Sequence, residues 1–135
     1  MAKKLTLGKD ERLKSRKQTE LLFNTGKKFN FPPFRIHYLL SKDDTALLHH
    51  AAIGFGIGVS SKVFKKAVDR NRIKRLTREA WRLQKSGLQQ QLKEQNARLH
   101  IFFIYTGKEL PVYQEVYDKT GKVLDKLCKL FTEIN

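Results

Sequence analysis

The segment from Ala51 to Lys85, AAIGFGIGVSSKVFKKAVDRNRIKRLTREAWRLQK, determines which fold this chain can adopt. Glycine alternates with apolar residues as far as Val59, and this period of two predicts a strand. Because the three glycines carry no side chains, a helix, a backbone or a ligand can approach one face of this strand closely. Residues 67–85 then repeat apolar residues at helical spacing. A strand followed by a helix is therefore predicted at the centre of the chain.

Further elements are predicted on both sides of this segment. A short helix is expected to stop at Gly26, because glycine is common just past a helix end. The predicted elements are a helix over 15–23, strands over 27–30, 34–40 and 51–59, a helix over 67–85, a strand over 99–105 and a helix over 112–131. This order indicates an α+β fold, a two-layer sandwich with helices packed on a small sheet. Residues 1–12 are predicted to form a flexible basic arm, and residues 13–135 a single domain.

The charge of the chain restricts its partners. Lys and Arg number 28 against 13 Asp and Glu, so the formal net charge is +15. Self-repulsion of this size destabilises a folded monomer, and it is typical of proteins that bind a polyanion. No apolar run approaches the length of a membrane span, and no secretory signal follows the N-terminus, so a cytoplasmic protein is expected.

Residues 70–83 divide into two sides when they are placed at about 100° per residue on a helix. One side is apolar and carries Ile73, Leu76, Ala80 and Leu83. The opposite side is basic and carries Arg70, Asn71, Lys74, Arg75, Arg78 and Arg82, with Arg72 at its boundary. We therefore predict a helix that packs on the core by one side and presents cations on the other.

A solvated surface helix is the simplest alternative, but such helices intersperse charges of both signs. Between Lys62 and Lys85 there are ten basic residues and two acidic ones. Like charges four residues apart destabilise a helix, so the pattern indicates a polyanionic partner, and the planar arginine fork favours phosphate. A membrane helix would expose large apolar residues, and a major-groove helix would belong to a two-helix unit. RNA is therefore favoured over lipid and DNA.

The central segment also resembles a known family. Residues 57–62 read Ile-Gly-Val-Ser-Ser-Lys, and residues 67–80 read Ala-Val-Asp-Arg-Asn-Arg-Ile-Lys-Arg-Leu-Thr-Arg-Glu-Ala. This run resembles the signature of the protein subunit of bacterial ribonuclease P, a strand end followed by Ala-Val-x-Arg-Asn-Arg-x-Lys-Arg-x-x-Arg. Eight positions of the helix stand in register with that signature. A looser likeness extends over most of the chain.

The resemblance implies both a fold and a function. The fold would have the order αβββαβα, with a small mixed sheet and a left-handed βαβ crossover, against the usual right-handed rule. The chain would be a subunit of an endoribonuclease that removes the 5′ leader of precursor tRNA. Its partners would be the catalytic RNA and the precursor tRNA, with no membrane or DNA partner. Mg²⁺ would be held by the RNA, which carries the chemistry, and no organic cofactor, catalytic residue or metal ligand is expected in the protein.

The resemblance also assigns residues to two sites. The family motif that contacts the catalytic RNA corresponds to Arg70, Asn71, Arg72, Lys74, Arg75 and Arg78, and the basic side of the helix adds Arg82. The family cleft that holds the single-stranded leader corresponds to Phe23, Tyr38, Lys62, Lys65 and Lys66. Core packing is the alternative role for Phe23. Two departures affect this cleft, since Thr19 replaces a family aromatic residue and the segment between Val59 and Ala67 is one residue longer.

Two other functions are compatible with the residues. A ribosomal or RNA-assembly protein of similar α+β fold would also carry a basic helix on a small sheet. An autonomous nuclease would cleave RNA without an RNA subunit, but the acidic residues are scattered and the four histidines form no sensible catalytic set.

Overall fold

The computed structural model describes residues 16–41, 53–95 and 97–134, and it contains eight elements. In chain order they are α1 (Arg16–Thr25), β1 (Lys27–Phe31), β2 (Phe34–Ser41), β3 (Ile53–Val59), α2 (Ala67–Gln84), α3 (Ser86–Glu94), β4 (Arg98–Tyr105) and α4 (Tyr113–Ile134). The predicted basic arm over 1–12 and the side chain of Thr19 lie outside the described residues. The predicted order lacks α3, because the predicted central helix ends at residue 85 and no element is predicted between it and the strand over 99–105.

The four strands form one mixed sheet in the order β1-β2-β4-β3. β2 pairs antiparallel with both β1 and β4, whereas β3 and β4 are parallel. A parallel pair needs a long crossover connection, and α2 with α3 provides it. The predicted α+β fold with a small mixed sheet is therefore confirmed, while the left hand of the crossover stays a prediction.

Side chains of each strand alternate between two faces of the sheet, and the two faces are covered differently. One face packs against α2, α3 and α4 and forms the core, which includes Phe55, Trp81 and Phe103. The rings of Phe55 and Trp81 are stacked with centroids 4.6 Å apart. The other face meets only α1 among the described helices, through contacts with β2 and β4. Half of the sheet surface is therefore only partly covered.

The buried side of α2 differs from the predicted one. Ile73 and Ala80 are buried as expected, but Leu83 is 39% exposed, and Thr77 and Trp81 are fully buried. The indole of Trp81 stacks on Phe55. Compared with the predicted orientation, the helix is therefore turned about its own axis so that Trp81, and not Leu83, faces the core. The Thr77 hydroxyl donates to the Ile73 carbonyl at 2.8 Å, so the buried hydroxyl is satisfied within the helix.

Three glutamines join the helices of the covered layer. The Nε2 atoms of Gln84, Gln91 and Gln95 donate to main-chain carbonyl oxygens of α4. The acceptors are Tyr117 at 2.9 Å, Cys128 at 3.0 Å and Phe131 at 3.3 Å. α2 and α3 are thus held on α4 by uncharged donors as well as by apolar packing.

Candidate nucleic-acid interfaces

The solvent-facing side of α2 forms a shallow basic depression of about 390 Å³. Four of its lining residues are those predicted to contact RNA: Asn71, Arg75, Arg78 and Arg82. We call these four residues the arginine face. Their spacing of i, i+4, i+7 and i+11 places them on one side of the helix, opposite the buried residues. The structure therefore brings together four of the seven residues predicted for this site.

Glu79 is the single acidic residue lining this depression, and it holds Arg82 in place. The Arg82 guanidinium forms a two-point ion pair with the Glu79 carboxylate, including an Nε–Oε2 hydrogen bond of 3.1 Å. This hydrogen bond lowers the pKa of Glu79 below its usual value. One edge of the guanidinium is thereby fixed, and Arg82 is oriented before any RNA arrives.

Arg70 has a different role from the arginine face. Its Nη1 atom donates to the carbonyl oxygens of Phe64 at 2.7 Å and Lys65 at 2.9 Å. The guanidinium thus closes the loop that connects β3 to α2. Arg72 is exposed and Lys74 is half-buried, and neither lines the depression. The RNA contacts of all seven residues stay predictions, and the internal hydrogen bonds of Arg70 add a structural function.

The less covered face of the sheet carries an aromatic cluster beneath α1. Phe23 of α1 is 40% exposed, and its ring lies edge-on to His37 at 4.6 Å and to Phe102 at 5.4 Å between centroids. His37 and Phe102 are paired residues of β2 and β4, so their side chains share a face. We call Phe23, His37 and Phe102 the cleft face. Exposed rings on a half-covered sheet are suited to stacking with unpaired bases.

The glycine strand forms the edge of this cleft. Gly58 of β3 lies beside the Phe102 ring, and a Cβ atom at Gly58 would come within 3.0 Å of that ring. The absence of a side chain therefore lets Phe102 lie over β3. Gly26 at the end of α1 is similarly constrained, because a Cβ there would meet the carbonyl oxygens of Leu22 and Tyr38. Both glycines permit the close packing that forms the cleft.

The prediction that Tyr38 shares a cleft with Phe23 is wrong. Tyr38 pairs with Ile101 on the covered face, and its ring lies 5.9 Å from that of Phe131 in α4. Side chains alternate along a strand, so the neighbour His37 takes the position on the cleft face that was assigned to Tyr38. Burial raises the pKa of Tyr38, as befits a phenol packed against the core.

Two members of the cleft face, His37 and Phe102, were missed by the sequence reasoning. A usable signal was present in β2, where apolar Phe34 and Ile36, both buried in the core, alternate with polar Arg35 and His37. By alternation, Tyr38 then joins the core and His37 does not. The pKa of His37 is lowered from 6.5, mainly by burial and also by the positive charges of Lys28 and Arg35. The imidazole in the free protein is therefore predominantly neutral near pH 7.

The three lysines predicted for the leader site lie on the loop between β3 and α2. Lys62, Lys65 and Lys66 are all exposed, and the buried ring of Phe64 anchors the loop between them. This loop follows the end of β3, whereas Phe23 contacts residues in the middle of β2 and β4. The lysines are therefore at the end of the sheet, and their part in leader binding stays a prediction.

The described residues contain neither a candidate metal site nor a candidate membrane-spanning helix. No group of three or more His, Cys, Asp or Glu side chains in residues 16–41, 53–95 and 97–134 could hold a metal ion. Within the same ranges, no helix is long and apolar enough to cross a membrane.

Comparison with known proteins decides the family. Residues 7–128 match the Ribonuclease P family. The chain belongs to this family. The Ribonuclease P protein component of Porphyromonas gingivalis ATCC 33277 is 39% identical over 123 residues, which cover 90% of this chain and 86% of that protein. The same component from strain W83 is 38% identical with the same coverage.

Solved structures of the family share the fold. The RNase P protein of Staphylococcus aureus aligns with a TM-score of 0.66 at 21% identity, covering 90% of this chain and 97% of that one. A mutant of that protein with defective mRNA degradation activity gives a TM-score of 0.67 at 22% identity, covering 90% of each chain. The predicted identity as a ribonuclease P protein subunit, part of a tRNA-processing holoenzyme with an RNA partner, is confirmed.

Proposed function

We propose that this chain binds the catalytic RNA of ribonuclease P through the arginine face and the precursor-tRNA leader through the cleft face. The observation that carries the proposal is the separation of two chemically different surfaces on one small sheet. α2 packs on the covered side, whereas Phe23, His37 and Phe102 lie on the other side. One protein can therefore contact two RNA segments at once.

The arginine face supports binding to a folded RNA. Arginine forks meet phosphate oxygens with two parallel hydrogen bonds, and Asn71 can donate to and accept from a base or a ribose. Arg82 is already oriented by Glu79, so less side-chain entropy is lost when it binds. Neutralising RNA phosphates allows RNA segments to approach each other. In this proposal the RNA coordinates Mg²⁺ and carries out hydrolysis, and the protein acts by charge and position.

The cleft face supports binding to unpaired nucleotides. Bases of a single strand stack on aromatic rings with little dependence on sequence, as a leader of variable sequence requires. Arg35 of β2 and Lys28 of β1 share this face of the sheet by register and supply positive charge beside His37. Precursor tRNA carries a leader and mature tRNA does not. Binding here therefore favours substrate over product, in a complex that we place in the cytoplasm.

A cleavage assay tests the proposal. The catalytic RNA is assayed at low Mg²⁺ with and without the full-length protein, on a precursor tRNA with a single-stranded leader. The protein should increase the rate of cleavage and lower the KM for the precursor. It should not strengthen inhibition by a leaderless competitor to the same extent. Stimulation without any preference for the leader would contradict the role of the cleft face. Failure to bind the catalytic RNA would favour an RNA-assembly protein, and cleavage by the protein alone would reveal an autonomous nuclease.

A further inference from the structure

A second basic surface lies at the β1 edge of the sheet, away from the arginine face. Helix α4 crosses over β1 and β2 and presents four lysines at the spacing i, i+3, i+7 and i+10. At about 100° per residue these positions fall within about 80° of one another. The four residues are Lys119, Lys122, Lys126 and Lys129. The lysines therefore form a stripe along one side of α4.

Two of these lysines lie over phenylalanine rings of β1. The Lys126 Nζ atom is 4.4 Å from the centroid of the Phe29 ring, and the Lys119 Nζ atom is 5.9 Å from that of Phe31. A cation over an aromatic face is attracted by the ring quadrupole. Both rings are half-buried and fixed by the core, so they limit where each ammonium group can move. The four lysines and two rings together are called the lysine–phenylalanine edge.

We propose that the lysine–phenylalanine edge is a third RNA-binding surface, which takes the sugar-phosphate backbone of single-stranded RNA. Among the side chains that the structure describes, no carboxylate forms an ion pair with any of the four lysines. Asp118 and Asp125 line a depression together with Lys122 and Gln84, so negative charge lies beside the stripe at Lys122 and is farther from the two lysines over the rings. Lysines already restricted by aromatic rings lose less side-chain entropy when they bind phosphate.

The lysine–phenylalanine edge lies on a different helix and strand from the arginine face, although α2 and α4 pack against each other. β1 and β3 are the two edges of the sheet, three interstrand steps of about 4.8 Å apart. α2 packs on β3, whereas α4 covers β1. The two surfaces can therefore hold different segments of RNA. The lysine–phenylalanine edge is also distinct from the cleft face, because Phe29 and Phe31 lie on the covered side of β1 with Ile36 and Phe34.

RNA fits this surface better than a lipid membrane does. A membrane-binding helix places large apolar side chains beside its basic residues, where they enter the lipid. Five apolar residues of α4 are instead buried in the core, and Leu130 is half-buried against it; the five are Val116, Val123, Leu124, Leu127 and Phe131. The apolar groups beside the lysines, Phe29, Phe31 and Leu130, are held against the core and do not project toward a membrane. The row of lysines therefore offers point charges to a flexible polyanion.

Lysine footprinting on the full-length protein tests the proposal. Acetylation rates are measured by mass spectrometry with and without a short oligouridylate, which has no secondary structure. Lys119 and Lys126 should be protected from acetylation, while Lys93 and Lys108, exposed on other parts of the chain, should not be. Absence of protection at Lys119 and Lys126 under saturating RNA would overturn the proposal.

Two matched double variants provide an affinity measurement. Lys119→Gln with Lys126→Gln should weaken oligouridylate binding about tenfold and reduce the slope of log K against log salt by about 1.4, since each single-strand phosphate contact contributes about 0.7. The control Lys93→Gln with Lys108→Gln removes the same charge and should leave both quantities nearly unchanged. Equal losses in the two variants would show an effect of net charge alone. The same variants are also tested against anionic lipid vesicles and an acidic peptide. If Lys119→Gln with Lys126→Gln weakened binding to one of these probes and left oligouridylate binding unchanged, the surface would belong to that partner and the proposal would be overturned.

Discussion

The arginine face comes from one helix, whereas the cleft face needs three elements that are distant in the sequence. The arginine face is cationic and lines a shallow depression, so RNA binding there should be electrostatic and should depend on salt. The cleft face is mainly aromatic and lies under α1, so binding of unpaired bases there should depend on stacking. If both surfaces bind RNA as proposed, affinity for RNA and selection of a substrate should be separable by mutation in this small domain.

The largest effect should come from removing the core that both regions share. Trp81→Ala leaves a cavity beside Phe55, and the free energy of unfolding should fall by about 3–5 kcal/mol. Chemical denaturation monitored by circular dichroism measures this change, and both RNA-binding activities should decline together. Trp81→Phe is the matched control. It keeps an aromatic ring and removes a buried indole N–H that has no partner among the described residues, so it should cost less.

A large change in affinity should follow when the arginine face is neutralised. Arg75→Ala with Arg78→Ala should weaken binding to the catalytic RNA about hundredfold near 0.1 M salt and lower the salt slope by about two units, because about two phosphate contacts are lost. Filter binding across a salt series measures both. Discrimination between precursor and mature tRNA should stay constant. If the double variant changed this discrimination, the arginine face and the cleft face would have to act as a single site.

A smaller and more selective effect is expected at the cleft face. Phe23→Ala removes the exposed ring that contacts His37 and Phe102, and it should reduce the preference for precursor over mature tRNA about tenfold. The salt slope of binding to the catalytic RNA should not change. Tyr38→Phe serves as the comparison, because Tyr38 packs toward Phe131 on the other side of the sheet. If Tyr38→Phe lost as much preference as Phe23→Ala, the assignment of the two faces would be mistaken.

The smallest expected effect concerns protonation of His37. The pKa of His37 is lowered in the folded protein from the 6.5 expected for the unfolded chain. At a pH between the folded-state and the unfolded-state pKa, the folded protein therefore binds fewer protons than the unfolded chain. Lowering the pH through this window therefore reduces stability, and the loss is absent above pH 6.5. Nuclear magnetic resonance titration should place the His37 pKa below 6.5 in the free protein and higher with bound leader RNA, since phosphate favours imidazolium. An unchanged pKa on saturation with leader would exclude phosphate from this position.

The two regions also differ in how far the sequence determines them. The helix period alone selects the residues of the arginine face, because all of them lie on α2. It does not set the rotation of the helix, which depends on how Trp81 meets Phe55 in a separate strand. The cleft face depends on the register between β2 and β4 and on the side that α1 covers. The predicted cleft position fell on Tyr38, whereas His37 occupies it. This is an error of one residue, and a shift of one residue along a strand moves a side chain to the other face of the sheet.

The packing of α2 and α3 on α4 uses hydrogen bonds from the uncharged side chains of Gln84, Gln91 and Gln95. The docking of these helices should therefore depend little on ionic strength. Amide donors carry no charge, so added salt hardly screens them, whereas it weakens every contact between a cation and a phosphate. Salt also reduces the self-repulsion of a chain with a net charge of +15. Concentrated salt should therefore strip RNA from this protein while leaving its helices docked. The same property would let the subunit be recovered intact and returned to RNA by dilution alone.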